Sequence, residues 1–481
     1  MKPKESRELL KRIEVDYKPL TPLNKTGMRV LVHYLPYAMD NDEIYENEGI
    51  PFRFEVFTTQ QVFDIINKRE ESFGLFGYTF TTEAKEDSDE YKEIINMFSE
   101  DSFAWVTMVN RNKVQGNVTH IPGKLSLSCC VKEKYFKDAC IPKELLTEMC
   151  WEKESLGDEN QLKEKFINAV GNMSVSKKKK DIKAKGPKLK KPFSGNTEYT
   201  IKVFRVGSAN STFIQYKDGE SLLIDCGVDE IYKAKGERTA EDYICHVIKP
   251  TTLLISHWHG DHYNLIHEID DSCLKRVIYA EPYESLEIQV QDLFDKWRNL
   301  GIDVICFTKN SSSSILCDVF PGIEIYLGDK KRPDEQLEQT QEYIGTIIPK
   351  KGHEHDIEIN NSGIIVVINC KNRIFIIPAD VSYYNWPKIV QDYLKDAERI
   401  IVPHHSGQVY GMLEKDTPID KNYLRRIYIS SFGKEFINRK SSYHRTFINH
   451  VLNVSDDSDT SRHYYTCDIQ SIKRPYYRTD I

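Results

Sequence analysis

The C-terminal part of the sequence predicts an α/β fold in which two β-sheets pack between helices, and a separate α+β domain is expected before it. Three observations support this prediction. Apolar segments of strand length alternate with amphipathic segments from Tyr199 onward. Several of these strands run directly into histidine and aspartate residues. The composition changes abruptly near residue 174, which separates an N-terminal part from the rest.

Length and composition favour a folded protein with more than one domain. The chain has 481 residues, 40% hydrophobic residues and a net charge of −7. A chain of this length is too long to fold around one ordinary hydrophobic core. Its eleven cysteines are odd in number and never spaced as C-x-x-C, which indicates buried thiols in a reducing compartment and no structural zinc ribbon. The charged N-terminus and the lack of a long apolar run predict a cytoplasmic protein without a secretory signal or a membrane span.

Residues 1–173 are expected to form the N-terminal α+β domain, and they contain no recognisable catalytic motif. Recognition of a protein partner is therefore a candidate function of this domain. The pattern of apolar residues predicts, in order, strands at 28–34 and 52–57, a helix at 60–68, a hairpin of 103–109 and 114–118, and helices at 145–151 and 159–170.

Residues 174–194 are expected to form a lysine-rich linker. Between Ser174 and Pro192 there are nine lysines and one acidic residue, so this segment carries +8 and the remainder of the chain −15. Such a run cannot bury a core. It is either a solvated linker or, through Lys177–Lys191, an electrostatic contact with the phosphates of a nucleic acid.

Residues 195–481 are expected to form the second domain, which carries the polar motifs. A loop at 328–352 is expected to shape the entrance for a substrate. The predicted elements are strands at 200–206, 211–216 and 221–225, a helix at 241–247, strands at 253–255 and 277–280, a helix at 285–299, and strands at 304–308, 322–327, 363–368, 373–377 and 427–431.

The strongest motif follows the strand at 253–255 and reads His257-Trp258-His259-Gly260-Asp261-His262. Four potential metal ligands fall within six positions, in a chain with only 14 histidines. Imidazoles and carboxylates without thiolates favour zinc, with manganese as the main competitor. Two divalent cations could be held there, with a water between them to attack a substrate.

Later segments offer further ligands. The strand at 373–377 runs into Asp380, whose two carboxylate oxygens suit a bridge between two cations. An apolar strand also runs into His404 and His405, and the spacing leaves open which of the two binds metal. A last candidate is His444, which follows the strand at 427–431 and could bind metal or contact substrate.

The H-x-H-x-D-H pattern at a strand end resembles the signature of the metallo-β-lactamase superfamily. The Asn360-Asn361-Ser362 segment and the paired histidines resemble the branch that contains the competence-protein hydrolase domain. The resemblance implies an αββα sandwich, an orienting role for Asp225 through hydrogen bonds to the metal loop, and a pair of cations. The ligands that it implies are His257, His259, Asp261, His262, Asp380 and His404.

The sequence departs from the family pattern at two places. Ala379 stands where the family has a glycine before the bridging aspartate. The histidine that the family's third motif supplies between the first motif and that aspartate has no clear counterpart, because only His267, His353 and His355 lie in between. His355 is a candidate for this ligand, although a loop histidine beside two acidic residues is more often solvated.

The resemblance implies hydrolysis by a metal-activated water. Asp261 would anchor a metal and accept a hydrogen bond from the nucleophile, and His405 or His444 would stabilise or protonate the leaving oxygen. His259 stands where diiron members have glutamate, which weighs against redox chemistry. Since the branch is linked to phosphodiester cleavage and the lysine run favours a polyanion, a phosphodiesterase or nuclease is the favoured activity. A lactone or other ester hydrolase, a partner-gated effector and a degraded pseudo-enzyme are the alternatives.

Overall fold

The computed structural model describes residues in separate ranges of both predicted domains. These are residues 28–35, 50–67, 78–85, 88–98, 102–109, 120–127, 148–150, 157–177, 198–207, 209–216, 219–228, 239–282, 286–329, 343–344, 359–370, 373–406, 412–413, 426–429, 463–466 and 476–480. The chain divides into two compact units, Met1–Asp181 with Leu286–Lys296, and Ile182–Ser285 with Trp297–Ile481.

The first unit is built on one antiparallel sheet with helices. Its strands are β1 (Met28–Leu35), β2 (Ile50–Thr58), β3 (Tyr78–Ala84), β4 (Phe103–Val109), β5 (His120–Pro122), β6 (Lys124–Leu127) and β7 (Glu148–Cys150), in the order β5-β7-β4-β1-β2-β3-β6. Its helices are α1 (Thr59–Ile66), α2 (Asp89–Met97) and α3 (Gly157–Lys177). Alternating side chains of β1 enter two separate apolar clusters, Val30 and Val32 in one and Leu31 in the other, so both faces of the sheet are covered.

The prediction of a helix at 145–151 is wrong. Residues Glu148–Cys150 form strand β7, which pairs with both β4 and β5. Because the segment completes the backbone hydrogen bonds of two neighbouring strands, tertiary pairing overrides its helical spacing.

Strand β3 and helix α2 were not predicted. The helix expected at 60–68 is present as α1, and its N-terminus is capped by a capping box between Thr58 and Gln61. The second half of the expected hairpin, 114–118, lies outside the described residues.

The second unit is a mixed α/β structure. Its strands are β8 (Tyr199–Phe204), β9 (Thr212–Tyr216), β10 (Ser221–Ile224), β11 (Thr252–Ile255), β12 (Arg276–Ala280), β13 (Asp303–Phe307), β14 (Ile323–Leu327), β15 (Tyr343–Ile344), β16 (Ile364–Cys370), β17 (Arg373–Ile377), β18 (Ala397–Ile401), β19 (Met412–Leu413), β20 (Arg426–Ile429), β21 (His463–Tyr465) and β22 (Tyr476–Asp480). Its helices are α4 (Thr239–His246), α5 (Gly260–Tyr263), α6 (Ile288–Asn299, of which residues up to 296 group with the first unit) and α7 (Lys388–Lys395).

The strands of the second unit form two large sheets and one short pair. Within the described residues the first sheet has the order β13-β12-β11-β10-β9-β8-β22 and the second β14-β16-β17-β18-β20-β21, while β15 pairs with β19. Strands β10 to β13 run parallel, as do β17, β18, β20 and β21. The parallel strands are rich in Ile, Val and Leu and largely buried, as expected for strands covered on both faces.

One apolar cluster holds the two sheets together. Leu254 and Ile278 from the first sheet pack in the same cluster as Val366 and Phe375 from the second. The other face of the second sheet packs on α7, through residues such as Val390, in a separate cluster. The mixed α/β architecture predicted for this part of the chain is therefore confirmed, whereas the independence of the N-terminal domain stays a prediction. No helix in the described ranges is long and apolar enough to cross a membrane.

Candidate metal centre

The parallel strands deliver the candidate ligands to one edge of each sheet. Strands β10 and β11 are parallel neighbours and run into Asp225 and His257. In the second sheet, β17 and β18 are parallel neighbours and run into Asp380 and His404. Because the carboxyl ends of parallel strands meet at the same edge, these residues are placed by the regular part of the fold.

The metal loop after β11 is almost completely buried. His257 is 1% exposed, and His259 and His262 are 0% exposed. His259 occupies the N-cap position of α5, so Asp261 and His262 lie in the first turn of a helix, as predicted. Between the first two histidines, the indole Nε1 of Trp258 donates a hydrogen bond to the carbonyl oxygen of Ala280 at 2.8 Å and ties the loop to the end of β12.

Three imidazoles converge on one carboxylate oxygen. Oδ2 of Asp380 lies 3.1 Å from Nε2 of His262, 3.6 Å from Nε2 of His257 and 3.8 Å from Nε2 of His404. The ligand atoms of His257, His262 and Asp380 all lie within 4.8 Å of one another. Residues separated by more than a hundred positions in the sequence therefore meet in a volume that suits a metal ion.

The remaining residues of the first motif border this cluster. The ring of His259 lies 4.9 Å from that of His257, nearly perpendicular to it. Oδ2 of Asp261 lies 3.6 Å from Nε2 of His262. The side chain of Asp261 is 18% exposed, whereas that of Asp380 is fully buried. Asp261 is thus the carboxylate of the pair that solvent can reach.

Asp225 stabilises the loop that carries the candidate ligands through contacts with Ser256 and His262. One of its oxygens accepts a hydrogen bond from the backbone N–H of Ser256 at 2.6 Å, and the other accepts one from the Ser256 hydroxyl at 2.7 Å. The latter oxygen also lies 2.9 Å from Nδ1 of His262. A carboxylate in this position fixes the tautomer and the ring orientation of the imidazole, which leaves Nε2 directed at Asp380.

The carboxylates of this cluster produce a negative electrostatic potential around His262. Burial raises the pKa of Asp225, against the opposing effects of His262 and Ser256. Burial by itself lowers the pKa of His262, but the carboxylates of Asp380, Asp261 and Asp225 outweigh it and raise this pKa well above its usual value. Three carboxylates around one imidazole thus attract a positive charge that a divalent cation would supply. The donor set of imidazoles and carboxylates fits zinc or manganese.

Backbone strain is concentrated at the strand ends of this site. Among the described residues other than glycine, positive φ angles occur at Asp225 (55°), Ala379 (51°) and His404 (51°). A left-handed conformation costs a residue with a Cβ about 1–2 kcal/mol, and such strain persists only where the surrounding structure imposes it. The angle at Ala379 explains why a glycine suits this position and why alanine is still tolerated.

Several predicted residues cannot be placed. The backbone of His405 belongs to a 3-10 turn, Pro403–Ser406, but its side chain is not among those described. His444, His355 and the lysine run after Lys177 lie outside the described residues. The roles expected for these residues stay predictions.

Two asparagines next to the cluster were not predicted to belong to the site. Asn210 precedes β9, and its Nδ2 donates to Oδ1 of Asp380 at 3.4 Å. Asn360 precedes β16, and its Nδ2 lies 3.4 Å from Nε2 of His404. The family-like Asn360-Asn361-Ser362 pattern was a signal for the second of these. Nothing in the local sequence around Asn210 indicates its contact, because its partner is 170 positions away.

We expect Asp225→Asn to weaken metal binding about 10- to 100-fold while the fold is kept. The amide has the shape of the carboxylate but not its charge, so His262 loses the anionic acceptor for its Nδ1–H. Competition titration with a chelating dye measures the effect. The matched control is Asp392→Asn on the exposed face of α7, which should bind metal as the wild type does. Equal affinity in both variants would show that Asp225 does not support the site.

Comparison with family models finds a similarity that covers this region. Residues 204–385 match the model of the metallo-beta-lactamase superfamily, so this part of the chain is similar to the members of that superfamily. The matched range includes the first motif and Asp380, while His404 follows it. Members of the superfamily bind divalent metals, typically zinc.

The other comparisons are weaker. None of the curated proteins matches the chain. Among solved structures, the chain is similar to a long form RNase Z from yeast, with 11% sequence identity and a TM-score of 0.25. The match covers 60% of this chain and 44% of that one, so the chain spans less than half of the relative's length. A likeness at this level carries no conclusion about substrate.

Proposed function

We propose that the chain is a metal-dependent hydrolase of phosphodiesters, with a nucleic acid as the favoured substrate class. The observation that carries this proposal is the convergence of His257, His262 and His404 on the buried carboxylate of Asp380. The ligands proposed for two zinc ions, with manganese as the competitor, are His257, His259, Asp261, His262, Asp380 and His404.

Each protein group has a separate task in this proposal. When bound, the cations would lower the pKa of a water and stabilise negative charge on a substrate oxygen. Asp225 orients His262, and Asn210 donates to Oδ1 of Asp380, whereas Oδ2 is the oxygen near the imidazoles. Asp261, the more exposed carboxylate, would accept a hydrogen bond from the attacking water. His405 or His444 would assist the leaving oxygen.

The choice of a phosphodiester rests on the resemblance to the competence-protein branch and on the lysine run. Lys177–Lys191 would attract a polyanion and would make binding fall steeply with salt. Neither argument excludes a lactone or another ester as the substrate, because unrelated reactions share this fold.

A partner-gated effector is the second candidate function. The observation that favours it is the connectivity of the chain, since residues Leu286–Lys296 belong to the first unit although the sequence on both sides belongs to the second. A partner that binds the first unit would then act on a segment that is covalently continuous with the second. In this case the purified chain should be inactive until the partner is added.

The proposal is tested with the full-length chain, Asp261→Ala and the exposed control Asp392→Ala. We expect the wild type and the control to hydrolyse bis-p-nitrophenyl phosphate and single-stranded DNA or RNA, and Asp261→Ala to lose at least about a hundredfold in rate, since it lacks a metal anchor. Metal content is measured on the same samples. Turnover of p-nitrophenyl butyrate or a lactone in place of the phosphodiesters would favour the ester hydrolase. Equal rates and metal content in Asp261→Ala would refute the proposed site.

A further inference from the structure

The side chain of Asn360 is a buried carboxamide at the edge of the candidate metal centre. It is 5% exposed, and its Nδ2 lies 3.4 Å from Nε2 of His404. Its Oδ1 is also buried, and no hydrogen-bond donor from the described residues reaches it. A buried acceptor without a donor costs about 1–3 kcal/mol, so this oxygen is expected to have a partner in the functional protein.

The segment around Asn360 is held in place by its neighbours. The Ser362 hydroxyl donates to the carbonyl of Ile359 at 2.8 Å, and the Gly363 N–H donates to the carbonyl of Asn360 at 3.0 Å. Oδ1 of Asn361 accepts hydrogen bonds from the backbone N–H and the hydroxyl of Ser382, at 3.3 and 2.6 Å. Because Ser382 follows Asp380 by two positions, the asparagine segment and the Asp380 loop are fixed relative to each other.

The contact with His404 is incompatible with a metal at that histidine. If Nδ2 of Asn360 donates a hydrogen bond to Nε2 of His404, then Nε2 must be unprotonated and must accept with its lone pair. A cation bound by His404 would use the same lone pair, so the amide nitrogen would then face a group that cannot accept. A half-turn of the carboxamide exchanges oxygen and nitrogen, which have nearly the same size, and it places the oxygen toward the cation.

We propose that Asn360 supplies a neutral amide oxygen to the metal centre beside His404, and that this oxygen shifts the preference of the centre from zinc toward manganese. The inference rests on the metal centre proposed above. Imidazole ligands suit zinc, whereas carbonyl and carboxylate oxygens suit manganese and magnesium. An uncharged oxygen also balances less of the cation's charge than a carboxylate does, so one of the two cations should be held more weakly than the other.

Metal binding by the full-length chain tests this proposal without any measurement of activity. The variants are Asn360→His, Asn360→Asp and Asn360→Ala, and the matched control is Asn310→His, which places the same imidazole on an exposed turn. Protein is equilibrated with buffered Zn²⁺ or Mn²⁺, and the bound metal is counted by mass spectrometry. The visible spectrum of the Co²⁺-loaded protein reports changes of ligand directly.

We expect Asn360→His to tighten the weaker zinc site about tenfold or more and to change the Co²⁺ spectrum, since an imidazole replaces the amide. Asn360→Asp should tighten manganese binding, and Asn360→Ala should weaken it about tenfold. Asn310→His should behave as the wild type does. Circular dichroism identifies a variant that fails to fold, in which case the other two decide.

Two results would overturn the inference. The first is zinc and manganese binding in the folded variants that equals that of the wild type. The second is a Co²⁺ spectrum that does not respond to either Asn360→His or Asn360→Asp. The failure of the metal centre itself would look different, because Asp380→Ala would then bind metal as the wild type does.

Discussion

Asp380→Ala should lose most of the bound metal and at least about a thousandfold in hydrolytic rate, which corresponds to several kcal/mol of lost metal-assisted stabilisation. The reason is geometric. Asp380 is the residue whose single oxygen lies within 4 Å of three imidazoles, those of His257, His262 and His404. Its removal takes away the carboxylate near which the candidate ligands from both sheets lie. Metal content and the rate of phosphodiester hydrolysis, measured on the same preparation, check this expectation.

Asp392→Ala is the matched control for this change. Asp392 is an exposed carboxylate on α7 with ion pairs to Lys388 and Lys395, and such surface pairs contribute little to stability. The control should therefore keep its metal and its rate. Full metal content in Asp380→Ala would mean that the histidines bind metal without the proposed bridge. A full loss of rate in both variants would point to a cause outside the site.

Gly227→Ala should destabilise the second unit by more than about 3 kcal/mol, because overpacking against rigid backbone is among the largest single-residue effects. A Cβ at Gly227 would lie 1.4 Å from the carbonyl oxygen of Asp261 and 2.0 Å from its carbonyl carbon. Neither backbone segment can move aside easily. The Gly227 N–H donates to the carbonyl of Asn210, and the Cys226 N–H donates to the carbonyl of His262 at 2.8 Å.

Gly301→Ala separates this clash from the general cost of replacing a glycine. Gly301 has a φ of +82° and open space around its Cβ position, so the variant should lose only about 1 kcal/mol through the left-handed conformation. Urea unfolding followed by near-ultraviolet circular dichroism compares the two. Equal midpoints for the two variants would mean that the loop of Asp261 yields to the added methyl group. Metal content should fall only in Gly227→Ala.

The local sequence pattern was sufficient to predict a structural element that is long or a motif whose residues lie close together. The strands before His257 and Asp380 are apolar segments that are followed by candidate ligand residues, and the sequence shows both features directly. The strand at 148–150 was mistaken for a helix, since a three-residue strand owes its stability to β4 and β5 and not to its own composition. The roles predicted for His405 and His444 still await a test.

The amino-acid sequence alone predicted a candidate metal site, because His257, His259, Asp261 and His262 fall within six residues where a strand leads into a helix. Only the tertiary structure decided which distant residues complete it. Asn210 reaches Asp380 because one apolar core packs the two sheets together, and Asn360 reaches His404 because both lie at the ends of strands of the second sheet. Side-chain contacts between remote segments depend on this packing, and a linear pattern of residue types does not record it.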